Sequence, residues 1–357
     1  MEPEVSDLAI PTDHEVFQIK PGKRTGLPVM IGVHSTALGP AIGGLRIKTY
    51  DDSAAGIADV LRLSQAMTLK AAAIDNGSGG GKTVVPLPKD FMLTPQIKEA
   101  ILLDVADHVH ELGGIYHVAP DVGTGPLDID VIRRRTPFAG GYSKEAGGAG
   151  GTTYGTYIGL DTAIRAAVRR VLNTTSMKGA RVSIVGLGGI GTLIARDYAA
   201  EGAVLTVSDI DLSRRDFAEE IGAKWVTPED ALLADCDVLA PCALGGLLTH
   251  CKVPTLSAKI ICGAANNQLA TDDVADALKA RGIVYVPDFI ANAGGLMYAS
   301  GIEFHHRSEA GSETHTREGI ARNVDIVLSE AERSVLSTHS IAIDLALARL
   351  DAASKPV

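Results

Sequence analysis

The stretch RVSIVGLGGIGTLIARDYAAEG, residues 181–202, decides the fold. Its first five residues, Arg181-Val182-Ser183-Ile184-Val185, are rich in β-branched side chains and read as a strand. Gly186-Leu187-Gly188-Gly189-Ile190-Gly191 follows at once and opens a helical run. A G-x-G-x-x-G pattern is weak alone, but between a strand and a helix it is the fingerprint of a dinucleotide-binding βαβ unit. Gly186 permits the tight turn, Gly188 lets backbone approach a pyrophosphate, and Gly191 lets the helix pack closely on its strand. Gly189 and Ile190 begin that helix, whose free N–H groups meet the phosphates. The next strand, VLTVSD, ends in Asp209, where a carboxylate accepts hydrogen bonds from ribose hydroxyls and repels a 2′-phosphate. NAD is therefore expected over NADP, although Arg214 and Arg215 lie nearby.

Outward from this unit the pattern repeats. A helix over 154–171, strands over 181–185 and 204–208, and further strands around Val238, Ile260 and Val284 predict a parallel sheet covered on both faces. Residues 316–350 have helical periodicity and no strand signal. Towards the N-terminus, GGYSKEAGGAGGTT, residues 140–153, is the most glycine-dense part of the chain and reads as a hinge or linker. The expectation is an α/β protein of two domains: 1–150, and a Rossmann-type NAD-binding domain over 151–329, with 330–357 as a candidate to pack back on the first. Closure about 147–151 would expel water from a cleft between them.

Within the first domain, Ile57, Val60, Leu61 and Met67 predict a helix over 53–74, which places Met67 and Lys70 on one face. Thr94-Pro95 starts a second helix, striped by Ile97, Ile101, Val105 and Leu112. A short strand over 116–119 puts Asp121 at its carboxyl end.

Composition removes other classes. The 357 residues are 46% hydrophobic, only 21% charged and include 39 glycines, which is material for a large core and many turns, and argues against disorder. Lys+Arg 33 against Asp+Glu 43 leaves a formal charge of −10, so neither nucleic acid nor an anionic membrane is an expected partner. The acidic start MEPEVSDLAIPTDHE is unlike a secretory leader, and no apolar run approaches the ~18 residues of a spanning helix; a cytoplasmic protein is expected. Cys236, Cys242, Cys251 and Cys262 lack paired C-x-x-C spacing and read as buried small apolar residues, with no metal site.

The segment GSGGGKTVV, residues 77–85, resembles a nucleotide triphosphatase phosphate loop. Asn76 stands where that motif needs its first glycine, and Thr83, Val84 and Val85 followed by Pro86 read as strand rather than helix. What remains is Lys82 on a glycine-rich turn, Lys70 on a helix face and Asp121 at a strand end. A lysine desolvated by close-packed backbone and set near another cation favours its free amine and serves as a base.

Eight ordered stretches then resemble one family: STALGPAIGGLR (35–46), MTLK (67–70), GGGKTVV (79–85), PDVGT (120–124), GLGGIG (186–191), APCALGG (240–246), GAANNQL (263–269) and PDFIANAGG (287–295). They resemble the glutamate/leucine/phenylalanine/valine dehydrogenases, nearest the leucine/valine/phenylalanine branch. The resemblance implies an N-terminal substrate and oligomerisation domain, a homo-oligomer, and NAD-dependent interconversion of an L-amino acid with its 2-oxo acid and ammonia. It implies that Lys70 binds the substrate carboxylate with backbone at Gly43 and Gly44. Lys82 would be the general base that activates water, and Asp121 would shuttle protons and bind the amino group. Asn266, Asn267 and Asn292 would position substrate and nicotinamide, Thr152 would contact the carboxamide, and Cys242 and Ala243 would border the cofactor. An NAD-binding regulatory protein of the same fold is the non-enzyme alternative, and retention of all three charged residues argues against it.

By the same resemblance Ile42, Met67, Ala119, Leu296 and Ala299 line the side-chain pocket. None is charged, so a glutamate side chain would lack a partner. Ala119 narrows one wall, as in the branched-chain members, whereas Ala299 widens another; branched-chain substrates are expected, with phenylalanine or tryptophan close behind. Two departures stand out. Leu45 replaces the family's usual threonine, unsettling packing near the carboxylate site. Residues 300–318 are richer in histidine than the family norm, and His305 and His306, as helix neighbours, would diverge rather than share a metal.

Overall fold

A computed structural model describes residues 13–354; the acidic start of the chain, which is unlike a secretory leader in sequence, lies largely outside them. The chain divides into two compact units, one comprising 13–151 with 349–354, the other Thr152–Ala348.

The first unit holds β1 (Val16–Pro21), β2 (Pro28–Ser35), β3 (Ala41–Thr49), α1 (Ser53–Ala73), β4 (Gly79–Leu87), α2 (Pro95–Glu111), β5 (Tyr116–Pro120) and α3 (Pro126–Arg133). Its sheet runs β1-β2-β4-β3-β5, with β3 parallel to β4 and β5, and β1 and β2 antiparallel. Alternation along β2 sends Val29, Ile31 and Val33 into the core with Ile101, Val105 and Val109 of α2, while Met30 joins Val60, Leu61 and Val84 on the α1 side. A sheet covered on both faces needs apolar residues throughout its central strand, and β4 is buried at every position.

Three expectations need correcting here. Gly79, Gly80 and Gly81 form strand, not a turn: a Cβ on Gly80 would lie 2.0 Å from the Thr68 backbone nitrogen, so glycine lets α1 sit directly on β4. This also removes the phosphate-loop geometry. The glycine run before Thr152 is no slack linker. Gly148 and Gly150 donate to the Ser143 and Tyr142 carbonyls, Ser143 N–H donates to Asp130, and the Arg133 guanidinium lies 3.7 Å from the centre of the buried Tyr142 ring. Leu45 is fully buried among the α2-side core residues, on the strand face opposite Gly44, so it leaves the carboxylate side undisturbed.

The second unit contains α4 (Thr153–Leu172), β6 (Arg181–Val185), α5 (Gly189–Glu201), β7 (Val204–Ser208), α6 (Arg215–Glu220), β8 (Lys224–Trp225), α7 (Pro228–Leu232) and β9 (Val238–Pro241). It continues with β10 (Ile260–Ile261), α8 (Val274–Ala280), β11 (Val284–Tyr285), α9 (Asp288–Ala291), α10 (Gly294–Glu303), α11 (Glu309–Arg333) and α12 (Thr338–Ser354), whose last turns belong to the first unit. All pairings in the order β11-β10-β9-β6-β7-β8 are parallel, a doubly wound sheet that changes direction between β6 and β9. The helical tail breaks at Ser334, which is extended, and the Lys279 ammonium collects the carbonyls of Ala331, Ser334 and Leu336 there. All of 330–348 lies in this unit, and only the end of α12, from Arg349, joins the other. Cys236 and Cys262 are buried as expected, but Cys242 is half-buried and Cys251 exposed. Among the described residues no helix is long and apolar enough to cross a membrane, and no acidic, histidine or cysteine cluster is arranged to hold a metal.

Candidate active site

In the first unit the register of β3 with β4 and β5 pairs Leu45 with both Thr83 and Pro120, which sets Gly44, Lys82 and Asp121 side by side. Lys82 is 5% exposed, and its ammonium donates to Asp121 Oδ2 at 2.5 Å. Glycine is required at position 44: a Cβ there would lie 2.6 Å from Asp121 Cβ and 3.0 Å from Lys82 Nζ. Beyond the strand, Asp121 N–H donates to Thr124 Oγ1, which donates to the Leu45 carbonyl, so the carboxylate is aimed by its own turn.

Sequence reasoning left out two residues. Arg46 Nε donates to the same Asp121 Oδ2 at 2.9 Å, and its terminal nitrogen donates to Asp59 Oδ2 at 2.8 Å. Arg46 closes the motif STALGPAIGGLR, and its place two residues from Gly44 on one strand face was the available signal. Asp59 sits mid-helix with no motif around it.

Burial pushes the Lys82 amine below its ordinary range; Asp121 opposes the shift and Arg46 adds to it. For Asp121, burial alone would raise the pKa, but Lys82 and Arg46 together outweigh it and hold the carboxyl below its ordinary value. The unit therefore presents a fixed carboxylate touching an amine that ionises with difficulty.

Lys70 lies in the last turn of α1, half-buried, with half-buried Met67 one turn before it. The Gly80 contact with Thr68 pins this part of the helix to the sheet. Arg349, from the end of α12, donates to the Ala72 and Ala73 carbonyls at 2.9 and 2.8 Å and so caps the helix just past Lys70. Ile42 is buried and Ala119 half-buried, on strands paired side by side. Gly43 plays a different part from Gly44: a Cβ on it would strike the Gly81 carbonyl oxygen at 1.7 Å, so it serves sheet packing.

In the second unit the glycine loop leaves the carboxyl end of β6 at the switch point. Gly186 has φ 107, and a Cβ on it would meet Ala243 at 2.7 Å, while one on Gly191 would meet the Gly186 carbonyl oxygen at 2.0 Å and Cys242 Cβ at 3.4 Å. Gly188 is exposed, and a Cβ there would touch nothing within 4 Å: packing does not demand glycine, leaving room for backbone to meet a ligand. Gly189 and Ile190 form the first turn of α5. Asp209 accepts from Leu187 N–H at 2.6 Å and from Asp211 N–H at 2.8 Å, so it borders the loop. An open glycine, a helix N-terminus and a carboxylate at the next strand end fit a dinucleotide.

Also in this unit, Asn292 donates to Asn266 Oδ1 at 2.8 Å and to the Ala264 carbonyl at 3.2 Å. Asn267 takes a left-handed φ of 52, held by Asp288, whose carboxylate accepts its N–H. Leu296 is half-buried and Ala299 buried on α10, and exposed Thr152 precedes α4. Gly294 and Gly295 let α10 meet α4: Cβ atoms on them would lie 2.3 Å from the Gly155 carbonyl oxygen and 2.5 Å from Thr156 Oγ1. Glu303 ends α10 before His305, and His306 adopts φ 51, so the two histidines leave the helix rather than diverge on it.

Residues 15–138 match the family model of the Glu/Leu/Phe/Val dehydrogenase dimerisation domain, and residues 210–355 match that of Glutamate/Leucine/Phenylalanine/Valine dehydrogenase. Leucine dehydrogenase of Bacillus subtilis (strain 168) is 36% identical over 346 residues, covering 95% of this chain and 92% of that protein. Valine dehydrogenase of Streptomyces coelicolor is 39% identical over 292 residues, 80% of this chain and 78% of its own. Among solved structures, L-tryptophan dehydrogenase from Nostoc punctiforme superposes with a TM-score of 0.81 at 30% identity, covering 95% of this chain and 97% of that one.

Proposed function

The chain belongs to the glutamate/leucine/phenylalanine/valine dehydrogenase family and is an amino-acid dehydrogenase, and from that premise we propose the reversible NAD-dependent oxidative deamination of an apolar, branched-chain L-amino acid to its 2-oxo acid and ammonia. The observation that carries the reading is the buried Lys82–Asp121 contact, which only a glycine at position 44 leaves room for. The nicotinamide, when bound, accepts hydride from the substrate α-carbon. Gly188, the α5 N-terminus and Asp209 hold the dinucleotide, and the Asp209 carboxylate selects NAD over NADP by repelling a 2′-phosphate.

The rest of the chemistry falls to the chain's own side chains. Lys70 takes the substrate carboxylate. Asp121, kept ionised by Lys82 and Arg46, attracts the substrate ammonium and receives a proton as the amine is freed. Lys82, whose amine form burial favours, takes a proton from the water that adds to the imino carbon, and its contact with Asp121 gives that proton a route onward. Asn266, Asn267, Asn292 and Thr152 orient the reacting groups, and Cys242 and Ala243 border the cofactor. We place the protein in the cytoplasm as a homo-oligomer; the dimerisation domain named for residues 15–138 supports the oligomer.

Ile42, Met67, Ala119, Leu296 and Ala299 offer a carboxylate side chain no partner, which supports an apolar substrate over glutamate. The small, buried Ala299 supports a second reading in which phenylalanine or tryptophan is also accepted. NADH formation at alkaline pH across L-leucine, L-valine, L-phenylalanine, L-tryptophan and L-glutamate tests both. Turnover of the branched-chain set is expected, aromatic preference would select the second reading, and glutamate alone as substrate would defeat both.

A further inference from the structure

Resting on the dehydrogenase reading of the Lys82–Asp121 pair, we propose that Arg46 is a positioning residue: held by Asp59 on α1, its guanidinium fixes the Asp121 carboxylate against Lys82. The geometry is a chain of alternating charge. Arg62 donates to Asp59 Oδ1 at 2.8 Å, Asp59 Oδ2 accepts from Arg46 at 2.8 Å, and Asp121 Oδ2 accepts from both Arg46 at 2.9 Å and Lys82 at 2.5 Å. Tyr50 donates its hydroxyl to Asp59 Oδ2 at 2.7 Å and fixes the far end.

Electroneutrality decides which member gives way. Two guanidiniums and two carboxylates balance, so a protonated Lys82 is the uncompensated charge, and it sits at the most buried place, with a side chain 6% exposed against 17% for Arg46. An isolated Lys82–Asp121 pair would instead hold its proton firmly as a closed salt bridge. Arg46 prevents this by sharing the one oxygen that Lys82 uses. Among the titratable groups of the packed elements, Lys70 sits in the last turn of α1, and β5 contributes Tyr116 beneath the sheet, whose hydroxyl bonds Thr83 and the Gly43 carbonyl rather than the shared oxygen. Desolvation lowers the Lys82 pKa most; Asp121 opposes it, Arg46 lowers it further, and Asp59 raises it slightly.

The test is the pH profile of kcat/KM with the preferred apolar amino acid for the wild-type enzyme and three variants. Arg46→Gln is expected to move the acid limb to higher pH, with about a tenfold loss near neutrality that largely returns at alkaline pH. Arg46→Lys, which keeps the charge, restores the limb, and Asp59→Asn, which loosens the hold on Arg46, moves it the same way by less. A purely structural role would lower the plateau in all three and leave the limb in place; that outcome, or a limb moved to lower pH by Arg46→Gln, overturns the proposal. Acetylation of Lys82 by acetic anhydride, followed by mass spectrometry as a function of pH, reads the same order without turnover. An inactive wild-type enzyme whose Arg46→Gln variant still moves the acetylation profile to higher pH would sink the dehydrogenase reading and leave the Arg46 geometry standing.

Discussion

Asp209, at the end of β7, accepts a hydrogen bond from the Leu187 N–H inside the glycine loop at 2.6 Å. One carboxylate thus shapes the turn and stands where a ribose is expected, so Asp209→Ala removes two functions together. Hydrogen bonds to a charged acceptor contribute about 1.5–3 kcal/mol each, so kcat/KM for NAD is expected to fall roughly 10- to 150-fold. Activity with NADP should fall much less, because the charge that repels its phosphate is also gone. The ratio of the two kcat/KM values checks this; an unchanged ratio would remove Asp209 from cofactor selection.

Gly44 and Gly80 are both hemmed in, but by different neighbours. A methyl at Gly44 meets the reacting pair, Asp121 Cβ at 2.6 Å and Lys82 Nζ at 3.0 Å, whereas one at Gly80 meets helix backbone at 2.0 Å. Side-chain ends can shift; a helix seated on a sheet cannot without repacking. Gly44→Ala is therefore expected to fold with a near-normal melting temperature and to lose about 100-fold in kcat, the usual cost of misplacing catalytic groups by an ångström. Gly80→Ala should be destabilised by about 1–3 kcal/mol or more through overpacking. Thermal melts beside steady-state kinetics separate the two.

The contrast between these glycines shows what the sequence could reveal. In the second unit, strand, glycine loop, helix and Asp209 are local in the chain, and parallel strands alternate with helices, so spacing alone located the loop and the aspartate bordering it. In the first unit β1, β2 and β3 went unread because their partners are distant: Gly32 pairs with Lys82, and Leu45 with Thr83. Glycines at 79–81 suggested a turn because a turn is their commonest use, whereas here they let the Thr68 backbone and the Tyr116 ring approach a strand. Arg46 and Asp59 escaped notice for a related reason. They are grouped only by α1 packing across the sheet, and no short motif records that. Lys82 and Asp121 were legible through the family resemblance and their setting, but their contact was not.

Arg349 connects α12 to the end of the helix that carries Lys70, where its guanidinium caps the carbonyls of Ala72 and Ala73. Arg349→Ala loses charge-assisted hydrogen bonds worth about 1.5–3 kcal/mol in favourable cases, so the melting temperature should drop by several degrees. Fraying of that last turn displaces Lys70 more than Lys82, which sits on the central strand. KM for the amino acid is thus expected to rise by a larger factor than kcat falls. A fall confined to kcat would count against Lys70 as the carboxylate-binding group.

The lowered Lys82 pKa makes two further measurements agree or fail together. As a base Lys82 works only when unprotonated, so kcat/KM for deamination should rise with pH along a limb below the ordinary lysine range, and Lys82→Ala should abolish turnover while NAD still binds. Stability carries the same sign. Between the lowered folded-state pKa and the ordinary lysine value, the unfolded chain binds more protons at this residue, so its contribution to folding stability grows as pH rises through that window. Asp121 acts lower on the scale: its folded pKa is depressed, so its contribution is present above the ordinary aspartate value and is lost as pH falls through the folded one. Denaturant midpoints taken across alkaline pH for wild type and Lys82→Met should therefore diverge, the variant lacking the upward slope. A wild-type slope equal to that of the variant would mean that Lys82 titrates in the folded protein as it does in water, and the general-base role would then need another residue.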